Sequence, residues 1–107
     1  MKELFLGAVY LHILHHAAEA PIHVAWMSTE LAAHGYDISP GTLYPTLHRM
    51  ESDGLLVSAH QTVNGRVLRV YRATGAGEAA LAEGRRAIRE LANEVLSHEQ
   101  IGYRGDK

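Results

Sequence analysis

SPGTLYPTLHRMESDGLL, from Ser39 to Leu56, leads within a few residues into NGRVLRVYRAT, from Asn64 to Thr74. Ser39 reads as a helix N-cap, with Pro40 at the first helical position, where a missing N–H costs nothing. The helix so begun should run to about Asp53 and stop at Gly54. Leu56 to Gln61 and Arg66 to Ala73 are rich enough in Val, Leu and Tyr to pair as strands, and Asn64-Gly65 between them is a strong two-residue hairpin signal. A short helix, a stop and a basic hairpin in succession are the sequence form of a winged helix-turn-helix. That module lays one helix and one hairpin on a DNA duplex.

Placed at about 100° per residue, positions 39–53 separate into two faces. Leu43, Leu47 and Met50 make an i, i+4, i+7 stripe that must be buried. The opposite face carries Gly41, Thr42, Pro45, His48, Arg49 and Ser52, which are small or hydrogen-bonding groups with one cation. A helix entering the ~12 Å major groove needs such a low profile and a few donors. A plain solvated helix would carry Lys and Glu there instead. Arg49 has the alternative of pairing with Asp53 one turn on. Pro45 removes a hydrogen bond and should kink the helix, although only its first turn precedes. Tyr44 lies on the flank, where its hydroxyl reaches a phosphate or its ring holds the hairpin.

In the hairpin, Arg66 sits beside the turn, placed for the minor groove or a phosphate. Arg69 and Arg72 point to opposite faces of their strand. We therefore expect DNA contacts from Ser39, Gly41, Thr42, Tyr44, Pro45, His48, Arg49, Arg66 and Arg69, and a salt bridge to the body from Arg72.

Charge distribution agrees. The 107-residue chain carries a net −2, but residues 39–72 hold four Arg against Glu51 and Asp53, a balance of +2. The segments before and after come to −3 and −1. All four cations in the positive segment are Arg, the type that forks onto phosphates and guanine edges.

Upstream, Leu4, Val9, Leu11, Ile13 and Leu14 mark an amphipathic helix from roughly Glu3 to His16, closed before Pro21. A second helix runs from about Val24 to His34 and stops at Gly35. Downstream, Thr74 can cap a last helix from about Gly75 to Leu96. Its Leu81, Gly84, Ile88, Leu91 and Val95 follow the 3-4 spacing of an a/d seam. Such a helix, ~33 Å long, exceeds what three short helices can cover. Its excess apolar seam calls for a second copy, with Leu4 and Leu11 of the first helix as a further dimer surface. Gly84 on the seam suggests a close backbone approach. The alternative is a helix folded back on its own domain.

The expected architecture is mainly α with a small β-hairpin. Residues 1–74 form the winged helix-turn-helix, 75–98 a dimerisation helix in the same compact unit, and 99–107 a flexible tail. No apolar run approaches the ~20 residues of a membrane span. The apolar start lacks the small-residue cleavage site of a signal peptide. Zero cysteines exclude disulfides and thiolate metal sites and fit a reducing cytoplasm. An enzyme finds no support, because there is no Gly-rich phosphate loop, Cys nucleophile, Ser-His-Asp set or carboxylate pair. No cofactor is expected.

Eight histidines are many for this length. His12 and His16, one turn apart, can share a helix face as a two-point metal clip; the other reading is a polar helix end with scattered surface His. Trp26, with Met27, lines an effector pocket at the dimer interface or is core. A winged helix used to bind a protein partner is the competing class.

These residues resemble the PadR family of bacterial transcriptional regulators. The likeness is strongest in SPGTLYPTLHRMESDGLL and GRVLRVYRATGAGEAAL, the latter carrying a Tyr-x-x-Thr-x-x-Gly pattern at Tyr71, Thr74 and Gly77. It covers roughly Leu11 to Leu96. Val24-Ala25 stands where the family usually has Gly-Tyr. The resemblance implies a homodimeric repressor of the short class, with one C-terminal helix, that responds to a small effector. A twofold dimer places two recognition helices about one DNA turn apart, so the operator should be an inverted repeat.

Overall fold

Lys2–Glu19 form helix α1, which is longer at its C-terminal end than the periodicity suggested. Ala17, Ala18 and Glu19 are good helix formers, so the helix continues until Ala20 turns extended ahead of Pro21. The computed structural model describes residues 1–101, with side chains through residue 97. Beyond α1 come strand β1 (Ile22–His23), helices α2 (Val24–Ala33) and α3 (Pro40–Ser52), strands β2 (Leu56–Val63) and β3 (Arg66–Ala73), and helix α4 (Gly75–Ile101).

The expected hairpin belongs to a three-stranded antiparallel sheet in the order β1-β3-β2. Ile22 lies opposite Tyr71 and His23 opposite Val70. Two residues are too few to show an alternation, so β1 leaves no period in the sequence. The β2–β3 register puts Val63 opposite Arg66. Asn64 and Gly65 between them have φ of 53° and 78°, the left-handed pair of a primed two-residue turn.

The core lies where α1, α2, α3 and the base of the sheet converge. Ile13, Met27, Leu31, Leu43, Leu47 and Met50 have no exposed surface, and burial of each is worth about 1.5–3 kcal/mol. The Ser28 hydroxyl donates to the Ile38 carbonyl and ties α2 to the turn leading into α3. Helix α4 joins this body only through its first turns. Leu81 is buried, and Gly84 lies against Leu11 of α1.

Thr74 fastens the sheet to both helices beside it. Its hydroxyl donates to the Gly54 carbonyl at 2.6 Å and accepts from the Gly77 N–H at 3.0 Å, while its own N–H reaches Leu55 O at 3.0 Å. Thr74 therefore caps α4 and holds the end of α3 with one side chain. The expected flexible tail, 99–107, falls partly on α4, which continues through Ile101, and from residue 102 on lies outside the described residues. No described helix is long and apolar enough to cross a membrane.

Candidate nucleic-acid interface

Helix α3 starts as its sequence dictates. Ser39 Oγ accepts from the Thr42 N–H at 3.3 Å, and Pro40 occupies the first turn. Leu43, Leu47 and Met50 are wholly buried, so the side bearing Gly41, Thr42, Pro45, His48, Arg49 and Ser52 is turned out to solvent. Pro45 lies inside the helix without ending it. The carbonyl it deprives of a donor is that of Gly41, on the exposed first turn where water can serve. Tyr44 is half-exposed on the flank, its ring 6.4 Å from that of His48 and nearly parallel to it.

Glu51 joins α3 to the sheet. Its carboxylate accepts the Ser58 hydroxyl at 2.7 Å and the Ser58 N–H at 3.1 Å. The Ser58 hydroxyl, ahead of its N–H and of the nearby Arg69 and His48 charges, holds the Glu51 carboxyl below its ordinary pKa. This clasp sets the wing against the end of α3, and nothing in the sequence pattern announces it.

The wing presents its arginines on two faces. Arg69 shares a face with Tyr71, the side packed towards α3. Arg66 and Arg72 share the other, as strand alternation requires. None of Arg49, Arg66, Arg69 or Arg72 forms an ion pair or side-chain hydrogen bond with a described residue, and all four are exposed. The expected salt bridge of Arg72 to the body is thus absent, and so is an Arg49–Asp53 pair. Arg72 lies opposite Val57 near the base of the hairpin, on its exposed face, and pairs with no acidic group among the described residues.

Tyr71 anchors the wing from beneath. Its ring is buried, and burial, with Tyr44 as a second cause, pushes its phenol pKa up to about 12. Tyr44 faces the hydroxyl closely enough to add to the shift, yet that hydroxyl meets no partner in hydrogen-bonding geometry.

The other expected site residues scatter. Leu11, Leu81 and Gly84 pack within the chain, whereas Leu4, Ile88, Leu91 and Val95 are 50–56% exposed and unpartnered. Trp26 is half-exposed and packs edge-on against His16, lining a cleft with Pro21, His23, Val63 and Leu68. Met27, beside it in sequence, is wholly buried and offers a ligand no surface; the helical turn carries it to the core side of α2. His12 stacks on His34 at 4.9 Å and meets Tyr36 edge-on, while His16 lies 3.4 Å from Glu30.

A helix with a low outer face, a wing carrying unpaired arginines and a long terminal helix define a winged helix-turn-helix regulator. The model of the transcriptional regulator PadR-like family matches residues 13–83, and the chain belongs to that family. It is 65% identical over 96 residues, 90% of each chain, to the transcriptional regulator Rv3488 of Mycobacterium tuberculosis. A PadR family regulator from Eggerthella lenta superposes with a TM-score of 0.75 at 32% identity, covering 89% of this chain and 84% of that one. A PadR-like regulator from Bacillus cereus shares the fold with a TM-score of 0.84 at 24% identity, over 92% and 97% of the two chains. The chain is accordingly a transcriptional regulator and not an enzyme.

Proposed function

We propose that the protein is a homodimeric repressor that binds an inverted-repeat operator in double-stranded DNA and is released by a small effector. The observation that carries the DNA contacts is the set of four exposed arginines without ion-pair partners among the described residues, one on α3 and three on the wing, around an outer helix face free of acidic groups. In this reading α3 enters the major groove, Arg49 and the capped first turn (Ser39, Gly41, Thr42) reach bases or phosphates, and Arg66 and Arg69 hold the flanking backbone. Arg72 joins Arg66 as a phosphate contact. The exposed seam of Ile88, Leu91 and Val95 with Leu4 supports the dimer, since a monomer would leave it in water. A gel shift with the region upstream of the protein's own gene tests the reading. Binding that weakens with Arg49→Ala and with Arg66→Ala is expected; undiminished binding by both variants removes the site assignment.

One observation favours a metal ion as effector. His15, His16 and Glu19 bring ligand atoms within 4.8 Å of one another, beside Glu30. This set shares His16 with the expected His12/His16 pair, whose His12 ring stacks on His34 and meets Tyr36 edge-on. Calorimetric titration with zinc should show binding that His16→Ala abolishes; no heat at micromolar zinc retires the metal.

A further inference from the structure

Helix α3 and the wing meet along a seam of polar side chains. Tyr44, His48 and Glu51 stand at i, i+4 and i+7 on the flank of α3. On the sheet, Ser58 and Tyr71 lie opposite each other in the β2–β3 register, and Arg69 shares their face. Glu51 and Ser58 satisfy one another across the seam. The Tyr71 hydroxyl stands apart from this pairing. It is buried, and it meets no hydrogen-bond partner among the described residues. Leaving a buried hydroxyl unpaired is costly, and a phenylalanine would fill the same space without that cost. The group beside it is the hydroxyl of Tyr44, whose ring is half-exposed and lies 6.4 Å from that of His48. Such a ring, on the rim of its helix, can turn without opening the core.

We propose that Tyr71 is a positioning residue for DNA binding: its buried hydroxyl donates to the Tyr44 oxygen once Tyr44 turns its own O–H onto a backbone phosphate. An oxygen that accepts a hydrogen bond makes its own O–H the stronger donor, so the two bonds reinforce one another. A phosphate contact of this kind carries no base information; it sets the register of α3 in the groove. Tyr71 belongs to the wing and Tyr44 to α3, so the relay forms only while the Glu51–Ser58 clasp holds the two together. The free protein bears the cost of the lone hydroxyl, and the complex recovers it. This role rests on the reading that α3 and the wing hold DNA.

The test is a double-mutant cycle on the full-length protein. Fluorescence anisotropy with a labelled duplex from upstream of its own gene supplies the affinities of wild type, Tyr44→Phe, Tyr71→Phe and the double variant. Tyr71→Phe keeps the buried ring and removes no hydrogen bond of the free protein, so its denaturation midpoint should equal or exceed that of wild type. Its DNA affinity should nevertheless fall about fivefold or more, as one hydrogen bond lost in each protomer of a dimer implies. Tyr44→Phe should lose at least as much. In the Tyr44→Phe background, Tyr71→Phe should cost no further affinity, because the phosphate contact it positions is already gone. A ring that merely supports the wing would act otherwise. Equal losses of affinity in both backgrounds, or a loss of stability alongside the loss of affinity, overturns the role. A wild type that does not bind the duplex strikes the DNA reading and this role together, whereas equal binding by wild type and Tyr71→Phe strikes the role alone.

Discussion

At Gly77 a Cβ would lie 2.1 Å from the Leu55 carbonyl oxygen, a backbone atom that the Thr74 N–H also holds. Neither side can give way without opening the joint between sheet and α4. Gly77→Ala should therefore destabilise the fold by about 1–3 kcal/mol, the usual cost of overpacking, which chemical denaturation would read directly. Gly84 gives the opposite expectation. Its nearest obstacle is the Leu11 Cδ2 methyl at 2.5 Å, the end of a side chain that can rotate. Relief of the helical glycine penalty, about 1 kcal/mol, should leave Gly84→Ala within about 1 kcal/mol of wild type. Equal losses in the two variants would contradict this distinction. The Tyr-x-x-Thr-x-x-Gly pattern thus has a physical content: a buried ring, a double cap and a place where only hydrogen fits.

At the scale of elements, α1 and α2 meet through histidines. His12 is surrounded by His15, His16 and His34, with Glu30 the opposing charge among the described residues. Burial first, and then the neighbouring histidines, lower its pKa below the ordinary 6.5. A histidine whose folded pKa is depressed favours the folded state above its unfolded value. That contribution is lost as pH falls through the folded one, because the unfolded chain then binds more protons. The melting temperature should accordingly decline as pH drops below 6.5, and His12→Gln should flatten the decline. A pH profile unaltered by that substitution would contradict the assignment. The sequence made α3, its caps, its buried stripe and the hairpin turn legible, because each rests on neighbours one or two turns away. It hid β1 and the Glu51–Ser58 clasp, since these join residues distant in the chain without a repeating pattern. The fate of the four arginines was only half readable. Alternation separated Arg69 from Arg72, but whether an acidic partner lay near Arg72 depended on what the fold places beside it.

For the whole molecule, α4 divides between two uses. Its first turns pack on α1 through Leu81 and Gly84, and its later turns carry Ile88, Leu91, Val95 and Leu96 half-exposed. In the proposed dimer this later half is the interface. Leu91→Glu should give a folded monomer by light scattering, with operator affinity reduced because two half-sites no longer act together; a persistent dimer would place the interface elsewhere. The central claim, that α3 and the wing hold DNA through unpaired arginines, is tested most directly by the salt dependence of DNA binding in wild type, Arg49→Ala and Arg66→Ala. Fluorescence anisotropy with a labelled upstream duplex supplies the slope of log K against log salt. Removing one arginine–phosphate pair should reduce the slope by about 0.9, hence by about 1.8 for a dimer, alongside weaker binding. Slopes and affinities identical to wild type in both variants would contradict the account.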